Sequence, residues 1–249
     1  MTFFITVIGL LIGSFLNVCI HRIPKKETVI YNSSHCSSCN NNLKVLDLIP
    51  LISFILLKGK CRYCGENIKI RYPVVELLTG GVFLITYLHI GFDVLLVKYL
   101  IFFSALIVIT FIDLEHQIIP NKLTFLILIW GIIWQIFYSE LFWYQALGGA
   151  FLGGGLLLLV AIISGGGMGG GDIKLMFAAG LILGIPATAL ALFLSFLVGS
   201  IIGVALILFK MKDRKDPIPF GPFLSLGIFI AALWGYEIIK IYLSVIGFQ

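Results

Sequence analysis

Long runs of apolar residues, separated by short polar segments, constrain the fold of this chain more than any other feature. A helix needs roughly 20 apolar residues to cross about 30 Å of hydrocarbon, and the sequence contains a series of such windows. The composition agrees, because 60% of the residues are hydrophobic and only 12% are charged, with a mean hydropathy of +1.10. These values exclude an ordinary soluble domain and predict an all-α polytopic membrane protein. The apolar windows are 3–20, 74–92, 94–112, 123–138, 143–163, 175–209 and 223–247.

The window 175–209 is too long for a single crossing. A continuous helix of that length would stretch roughly 52 Å at about 1.5 Å per residue. Gly184, Ile185 and Pro186 interrupt the window near its first third, and proline lacks an N–H donor and disfavours helix in the residue before it. We therefore expect two helical segments there, the first of them short, and about eight transmembrane helices in all.

The basic residues predict the orientation of these helices, because lysine and arginine concentrate in cytoplasmic loops. Four segments on one side of the membrane hold 15 of the 17 basic residues: 21–73, 113–122, 164–174 and 210–222. This places the N-terminus outside and indicates a multi-pass protein of the cell inner (cytoplasmic) membrane. The net charge of +5 favours contact with anionic lipid. No nucleic-acid-binding motif is visible, so we expect no nucleic-acid partner.

Three regions follow from this topology. Residues 1–20 form a first transmembrane helix, which we expect to be retained because its positive charges follow the apolar run, unlike those of a signal peptide. Residues 21–73 form a small cytoplasmic loop domain between the first two helices, and residues 74–249 form the membrane domain. Within the last region, GGAFLGG at 148–154 predicts close helix packing by small residues, inside the chain or between two copies.

The cytoplasmic loop carries four of the five cysteines as two C-x2-C pairs, with 21 residues between the pairs. Two such pairs supply the tetrahedral sulfur set that zinc prefers, and the reducing cytoplasm disfavours disulfides. We expect a structural zinc ion that holds a loop too small to build its own core. Redox-active or merely packed cysteines are the alternatives, and Cys19, in the first helix, is expected to pack. The expected ligands are Cys36, Cys39, Cys61 and Cys64.

Two acids attract attention because they lie at the edges of apolar windows. Asp113 ends the third window in TFIDLEHQIIPN, and Asp172 follows the glycine run in GMGGGDIKL. The chain crosses the membrane twice between them, so both aspartates should reach the cytoplasmic face. Ionisable groups at membrane depth are costly and mark functional sites. The alternative is a pair of unrelated charges at helix ends.

A pair of carboxyl groups in a poorly solvated site suits one kind of chemistry. Two aspartates that share a proton cannot both ionise, so one accepts a proton from water while the other donates to the scissile carbonyl. Glycines beside Asp172 would let an extended substrate backbone approach. The residues therefore favour an aspartic protease.

Six motifs in order resemble those of type IV prepilin peptidases, and the resemblance runs the length of the chain. Gly169, Gly171 and Asp172 fit the GxGD motif of that family. The motifs are GSFLNVCIHRIP at 13–24, GKCRYC at 59–64, RYPVVELLTG at 71–80, FIDLEHQIIPN at 111–121, GMGGGDIKL at 167–175 and IPFGPFLSLG at 218–227.

The resemblance implies a function for the aspartate pair. Asp113 and Asp172 match the catalytic aspartates of the family, which remove the short basic leader of prepilins and pseudopilins at the cytoplasmic face. Members commonly also methylate the new N-terminus with S-adenosylmethionine, and the sequence offers no derivable pocket for this methyl donor. Four further charged residues could support the site or merely anchor helices at the interface: Glu76, Lys174, Arg22 and Arg71.

Three alternatives stay open at this point. The chain could be another GxGD protease, such as a preflagellin peptidase, a presenilin or a signal-peptide peptidase, although the cysteine loop after the first helix favours the prepilin type. It could be a transporter whose acids carry protons or cations, with the cysteine loop as a metal sensor. It could also be a membrane assembly scaffold, in which both acids would be dispensable.

Overall fold

The computed structural model describes residues 1–29, 35–36, 38–211, 213 and 216–246 of the chain. Over this part, seven helices are long and apolar enough to cross a membrane, which confirms the predicted all-α multi-pass protein. A 3₁₀ turn, Val45–Leu48, and a short helix, α2, lie between the first two of them. The α-helices are α1 Thr2–Arg22, α2 Ile52–Leu56, α3 Arg71–Ile90, α4 Val94–His116, α5 Asn121–Tyr138, α6 Trp143–Ile163, α7 Gly170–Leu208 and α8 Gly221–Ile246.

Helix α7 carries the predicted interruption. It runs for 39 residues, and Gly184 inside it has φ 74° and ψ 177°, outside the helical region. This backbone conformation strains any residue with a side chain, so glycine is required there. Pro186 follows two residues later. If the two halves of α7 are counted separately, the described helices give the eight segments expected from the sequence, and the count is approximate for this reason.

The chain forms two compact units, residues 1–108 and 109–249. In the first unit, α1 packs along α3 through glycines that let the two backbones approach closely. A Cβ added at Gly13 would lie 2.8 Å from the Cα of Glu76, and one added at Gly9 would lie 2.9 Å from the Cα of Gly80. The functional division at residues 20 and 73 stays a prediction.

In the second unit, α7 packs against α5, α6 and α8. Its closest approach is to α6, where a Cβ at Gly149 would clash with the carbonyl oxygen of Gly180, and one at Gly180 would clash with that of Gly149. A Cβ at Gly153 would lie 2.6 Å from the carbonyl oxygen of Met176. The small residues of GGAFLGG therefore serve packing within the chain.

Replacing Gly180 with alanine should destabilise the second unit by about 1–3 kcal/mol, because the added methyl group forces α6 and α7 apart. The matched control is Gly155→Ala in α6, where nothing lies within 4 Å of an added Cβ. This control should be neutral or slightly stabilising, since alanine is the better helix former. Thermal unfolding of both purified variants in detergent checks the difference. Equal melting temperatures for the two variants would contradict the close contact.

Candidate active site and metal centre

The second unit brings Asp113 and Asp172 together. Asp113 lies in the last turn of α4 and Asp172 in the first turn of α7. Only 5% of Asp113 and 8% of Asp172 is exposed. The two carboxyl groups are close enough to interact electrostatically. The two aspartates that the sequence predicts at helix ends therefore lie near each other as one buried acidic pair.

Asp113 is held by the start of a third helix. The backbone N–H of Gly221, the first residue of α8, donates to Oδ2 of Asp113 at 2.8 Å in a buried hydrogen bond. A Cβ added at Gly221 would lie 2.8 Å from the same oxygen. The N-terminus of α8 thus presents a backbone donor to the carboxyl group, an arrangement that favours negative charge.

Gly221 was not predicted as part of the site, although it lies in the motif IPFGPFLSLG. The available signal was the glycine–proline pair, because proline is favoured in the first turn of a helix and glycine permits close approach. That pattern predicts a helix start at 221. It cannot predict which side chain the helix start meets.

Asp172 is held by its own helix start. Gly169 is the N-cap of α7, and Oδ2 of Asp172 lies against it, only 2.8 Å from the position of a Cβ added there. The N–H of Asp172 donates to the carbonyl oxygen of Gly169 at 3.1 Å. An acid in the first turn is the charge that a helix N-terminus favours.

The three glycines before Asp172 differ in what surrounds them. A Cβ at Gly169 would lie 2.8 Å from Oδ2 of Asp172, and one at Gly171 would lie 2.7 Å from the Cβ of Ile119 in the loop after α4. An added Cβ at Gly170 would meet nothing within 4 Å. Crowding by the Asp172 carboxyl group at the first position and by Ile119 at the third explains why glycine stands there in the GxGD pattern, and the open space at Gly170 explains why other residues fit at the second.

Lys174, predicted as a possible supporting residue, joins two helix starts. Its Nζ donates to Oδ1 of Asn121 at 2.9 Å, and Asn121 is the first residue of α5. Both side chains are exposed. This bond fixes the beginning of α7 to the beginning of α5, and a role of Lys174 toward substrate stays a prediction.

Glu76, the other predicted acid, belongs to the first unit. It is 8% exposed, and it accepts a hydrogen bond from the backbone N–H of Leu51 at 2.9 Å. Leu51 has a left-handed φ of 61°. This contact attaches the cysteine-containing segment to α3, so the described partner of Glu76 is structural.

The two predicted arginines also lie in the first unit. Arg22, 4% exposed, donates from its Nη1 to the carbonyl oxygens of Thr28 and Val29 at 3.3 and 3.4 Å. The guanidinium of Arg71 lies 5.0 Å from the centre of the Tyr72 ring. Their support of the aspartate pair stays a prediction.

The four loop cysteines converge as the spacing predicts. Their Sγ atoms all lie within 4.8 Å of one another, and Sγ of Cys36 is 3.9 Å from Sγ of Cys64. Tetrahedral coordination with metal–sulfur bonds of about 2.3 Å requires sulfurs about 3.8 Å apart. No cysteine forms a disulfide within the described residues. The group can therefore hold a metal ion.

Both cysteine pairs adopt the same turn. The N–H of the first cysteine of each pair donates to the carbonyl five residues later, at 3.0 Å for Cys36 and 2.8 Å for Cys61. The residue after each second cysteine, Asn40 or Gly65, has a positive φ. In the first turn, the N–H groups of Cys39 and Ser38 lower the pKa of the Cys36 thiol to about 6. For Cys36, the thiolate, which is the form that binds metals, is therefore favoured at neutral pH.

Comparison with known proteins identifies two family models in this chain. Residues 7–90 match the Bacterial Peptidase A24 N-terminal domain, and residues 100–204 match the Type IV leader peptidase family. These two ranges hold the cysteine group and the aspartate pair, respectively. No solved structure matches the chain.

Several curated proteins are similar over nearly the whole chain, and those cited here are named prepilin leader peptidase/N-methyltransferase. The Bacillus subtilis protein is 34% identical, and the alignment covers 96% of each chain. The Aeromonas salmonicida protein is 37% identical, over 96% of this chain and 92% of its own. The Pseudomonas aeruginosa protein is 34% identical, over 97% of this chain and 93% of its own.

Proposed function

Because the chain belongs to the type IV leader peptidase family, we propose that it removes the leader peptide of prepilins and methylates the N-terminus that cleavage creates. The relatives' names carry both activities. The structural observation that supports the peptidase is the buried pair of Asp113 and Asp172, each of which lies against a glycine at a helix start. The substrates are prepilins or pseudopilins.

The pair acts as an aspartic protease in this proposal. One carboxyl group is ionised and takes a proton from water as the water oxygen attacks the carbonyl carbon of the scissile peptide. The other is protonated and donates its proton to the carbonyl oxygen. When the gem-diol intermediate collapses, the carbon–nitrogen bond breaks, the departing amine takes a proton from the protonated carboxyl group, and a gem-diol hydroxyl returns a proton to the ionised one, which restores the single shared proton.

The site faces the cytoplasm in this proposal, and the protein lies in the cytoplasmic membrane. Support comes from the 15 of 17 basic residues in the segments assigned to that side. A prepilin has a basic leader followed by an apolar helix, so its helix would lie in the bilayer and its leader in the cytoplasm. The scissile bond would then lie at the level of the C-terminal end of α4 and the N-terminal end of α7, where the two aspartates are.

Zinc is the metal that suits the four cysteines, because it favours tetrahedral thiolate coordination. Four protein ligands leave no open position for water, so the ion would be structural. Within residues 21–73, it would join the two cysteine turns and replace a hydrophobic core.

S-adenosylmethionine is the proposed methyl donor, on the strength of the relatives' names. Family membership also favours the peptidase over the transporter and the scaffold. If the protein were a transporter, proteoliposomes that contain it would accumulate a solute, and replacing Asp113 or Asp172 would stop this accumulation. If it were a scaffold, it would keep its function after both aspartates were replaced.

Asp113→Asn and Asp172→Asn should each lower leader cleavage by about 10²–10⁴-fold, because each removes a proton donor or acceptor of nearly unchanged size. The assay incubates purified enzyme in detergent with a prepilin that carries its leader, and mass spectrometry identifies the new N-terminus. The matched control is Glu115→Gln, an exposed acid two residues beyond Asp113, which should cleave normally. An Asp172→Asn enzyme with the parental rate would refute the mechanism.

Alanine at Gly169 or Gly221 should lower cleavage by roughly 10–10²-fold, because the new Cβ would displace an aspartate oxygen only 2.8 Å away. Gly170→Ala is the control in the same turn, since its Cβ meets open space. The same cleavage assay ranks the three variants. If Gly170→Ala lost as much activity as the other two, crowding at the carboxyl groups would not be the cause.

Cys64→Ser should lose bound zinc, because a hydroxyl group is a poor replacement for a thiolate ligand. Mass spectrometry of elemental zinc in the purified protein should give about one ion per parent chain and far less in the variant. Cys19→Ala, which changes a buried cysteine of α1, should keep its zinc. Parent protein without zinc, or a Cys64→Ser variant with a full complement, would argue against the site.

A further inference from the structure

The segment between α1 and α3 contains an apolar run in addition to its cysteines. Eight of the ten residues from Leu48 to Leu57 are apolar, and α2 lies within this run. Ten residues cannot cross a bilayer, because a transmembrane helix needs roughly 20. An apolar run of this length either packs inside the protein or lies in the interface of the bilayer. The exposure of its side chains distinguishes these two cases.

One face of α2 is apolar and exposed. Ile52, Ile55 and Leu56 are 55%, 71% and 75% exposed, and side chains three and four residues apart share one face of a helix. We call these three side chains the α2 patch. Leu46 before the helix and Ile70 after it are also largely exposed, at 65% and 73%. Exposed apolar surface of this kind marks a contact with lipid or with another protein.

The opposite face of α2 lies toward the membrane helices of the same unit. Ser53 and Phe54 line a cavity of about 350 Å³ that Ser14 of α1 also lines. Just before α2, the backbone N–H of Leu51 donates to Oε2 of Glu76 in α3 at 2.9 Å. Glu76 lies five residues after the start of α3, which is about 7.5 Å along the helix. Helix α2 is therefore held beside the membrane helices and not beyond their ends.

The charges around the apolar run are mostly positive. Residues 44–70 hold five basic residues and two acids. One of the acids, Asp47, is already paired, because its Oδ1 lies 2.7 Å from Nε of Arg62. Lysines beside an apolar surface attract the phosphates of anionic lipids. The exposed lysines of this region are Lys44, Lys58, Lys60 and Lys69.

We propose that residues 48–57 lie in the lipid–water interface of the bilayer, with the α2 patch among the acyl chains and the flanking lysines on the phosphates of anionic phospholipids. The segment would also position the cysteine group. Asp47 accepts hydrogen bonds from Arg62 at 2.7 Å and from the Tyr63 hydroxyl at 3.2 Å, and both donors belong to the second cysteine turn. The interfacial segment therefore holds this turn at the membrane surface.

A second copy of the chain fits the α2 patch less well than lipid does. A stable interface between proteins buries about 800 Å² on each partner, and three side chains of a five-residue helix supply only a fraction of that area. Two copies that met at this patch would also bring their lysines together, and like charges repel. Anionic lipid instead satisfies the apolar side chains and the positive charges at once.

Photocrosslinking from the α2 patch tests its position. The full-length protein is inserted into nanodiscs of phosphatidylcholine and phosphatidylglycerol after Ile55→p-benzoylphenylalanine replacement. Irradiation should join a lipid to the chain, which mass spectrometry of the intact protein detects. The same replacement of Phe15, a 52% exposed residue of α1, should also give a lipid adduct. Asn41, an exposed polar residue after the first cysteine pair, is the matched negative control.

The lysines are tested in the same experiment. Adducts at Ile55 should favour phosphatidylglycerol, and Lys58→Gln combined with Lys60→Gln should lower its ratio to phosphatidylcholine by about fivefold. An unchanged ratio would refute the role of the lysines. Equal lipid adducts at Asn41 and Ile55, or a crosslinked second chain in place of lipid, would overturn the interfacial position of the patch.

The unsubstituted protein provides an independent test in case the variants do not fold. Nanodiscs are prepared with phosphatidylglycerol that carries a photoreactive diazirine in its acyl chain. Trypsin cuts after lysine and arginine, so it releases residues 45–58 and residues 63–69 as separate peptides. The first peptide should carry the lipid label and the second should not. A label on the transmembrane helices without any on residues 45–58 would overturn the inference.

Discussion

A glycine at a helix start lies against each of the two central carboxyl groups. The N–H of Gly221 donates to Asp113, and Gly169 at the start of α7 leaves room for Oδ2 of Asp172. Buried carboxyl groups are costly without such donors, and helix starts supply them because their first N–H groups have no partner inside the helix. The C-terminal end of α4 and the N-terminal ends of α7 and α8 must therefore meet. The glycines allow it, because a side chain at either position would occupy the place of the carboxylate oxygen.

The packing of the second unit also holds these helix termini together. Helix α7 lies against α5, α6 and α8, and the contact between Gly149 and Gly180 brings the backbones of α6 and α7 together. Helix association in lipid depends on such contacts, since the hydrocarbon provides no hydrophobic drive between helices. The first unit is held together by different contacts. In its segment between α1 and α3, apolar side chains such as those of Ile52, Ile55 and Leu56 stay exposed. The Glu76 contact to Leu51 and the four converging cysteines, which can hold a metal ion, connect this segment in place of a hydrophobic core.

The sequence predicted the features that depend on local chemistry. Hydrocarbon thickness determines the length of the spans, so the helices could be found from hydropathy, and the interruption at Gly184 followed from glycine and proline. The cysteine spacing predicted the converging sulfurs, and topology placed the two aspartates at helix ends. Tertiary contacts could not be predicted in this way. The partners of Gly221, Glu76 and Asn17 lie 108, 25 and 55 residues away in the chain, and no local pattern encodes such pairs.

The central claim is that Asp113 and Asp172 act as one catalytic unit, and a double variant tests it most directly. Residues that share a single chemical step show strongly non-additive losses. The measurement compares kcat/KM for prepilin cleavage in Asp113→Asn, Asp172→Asn and the combined variant. The account predicts that the double variant loses no more activity than the more impaired single variant. Losses that multiply would show two independent roles and contradict the shared-proton mechanism.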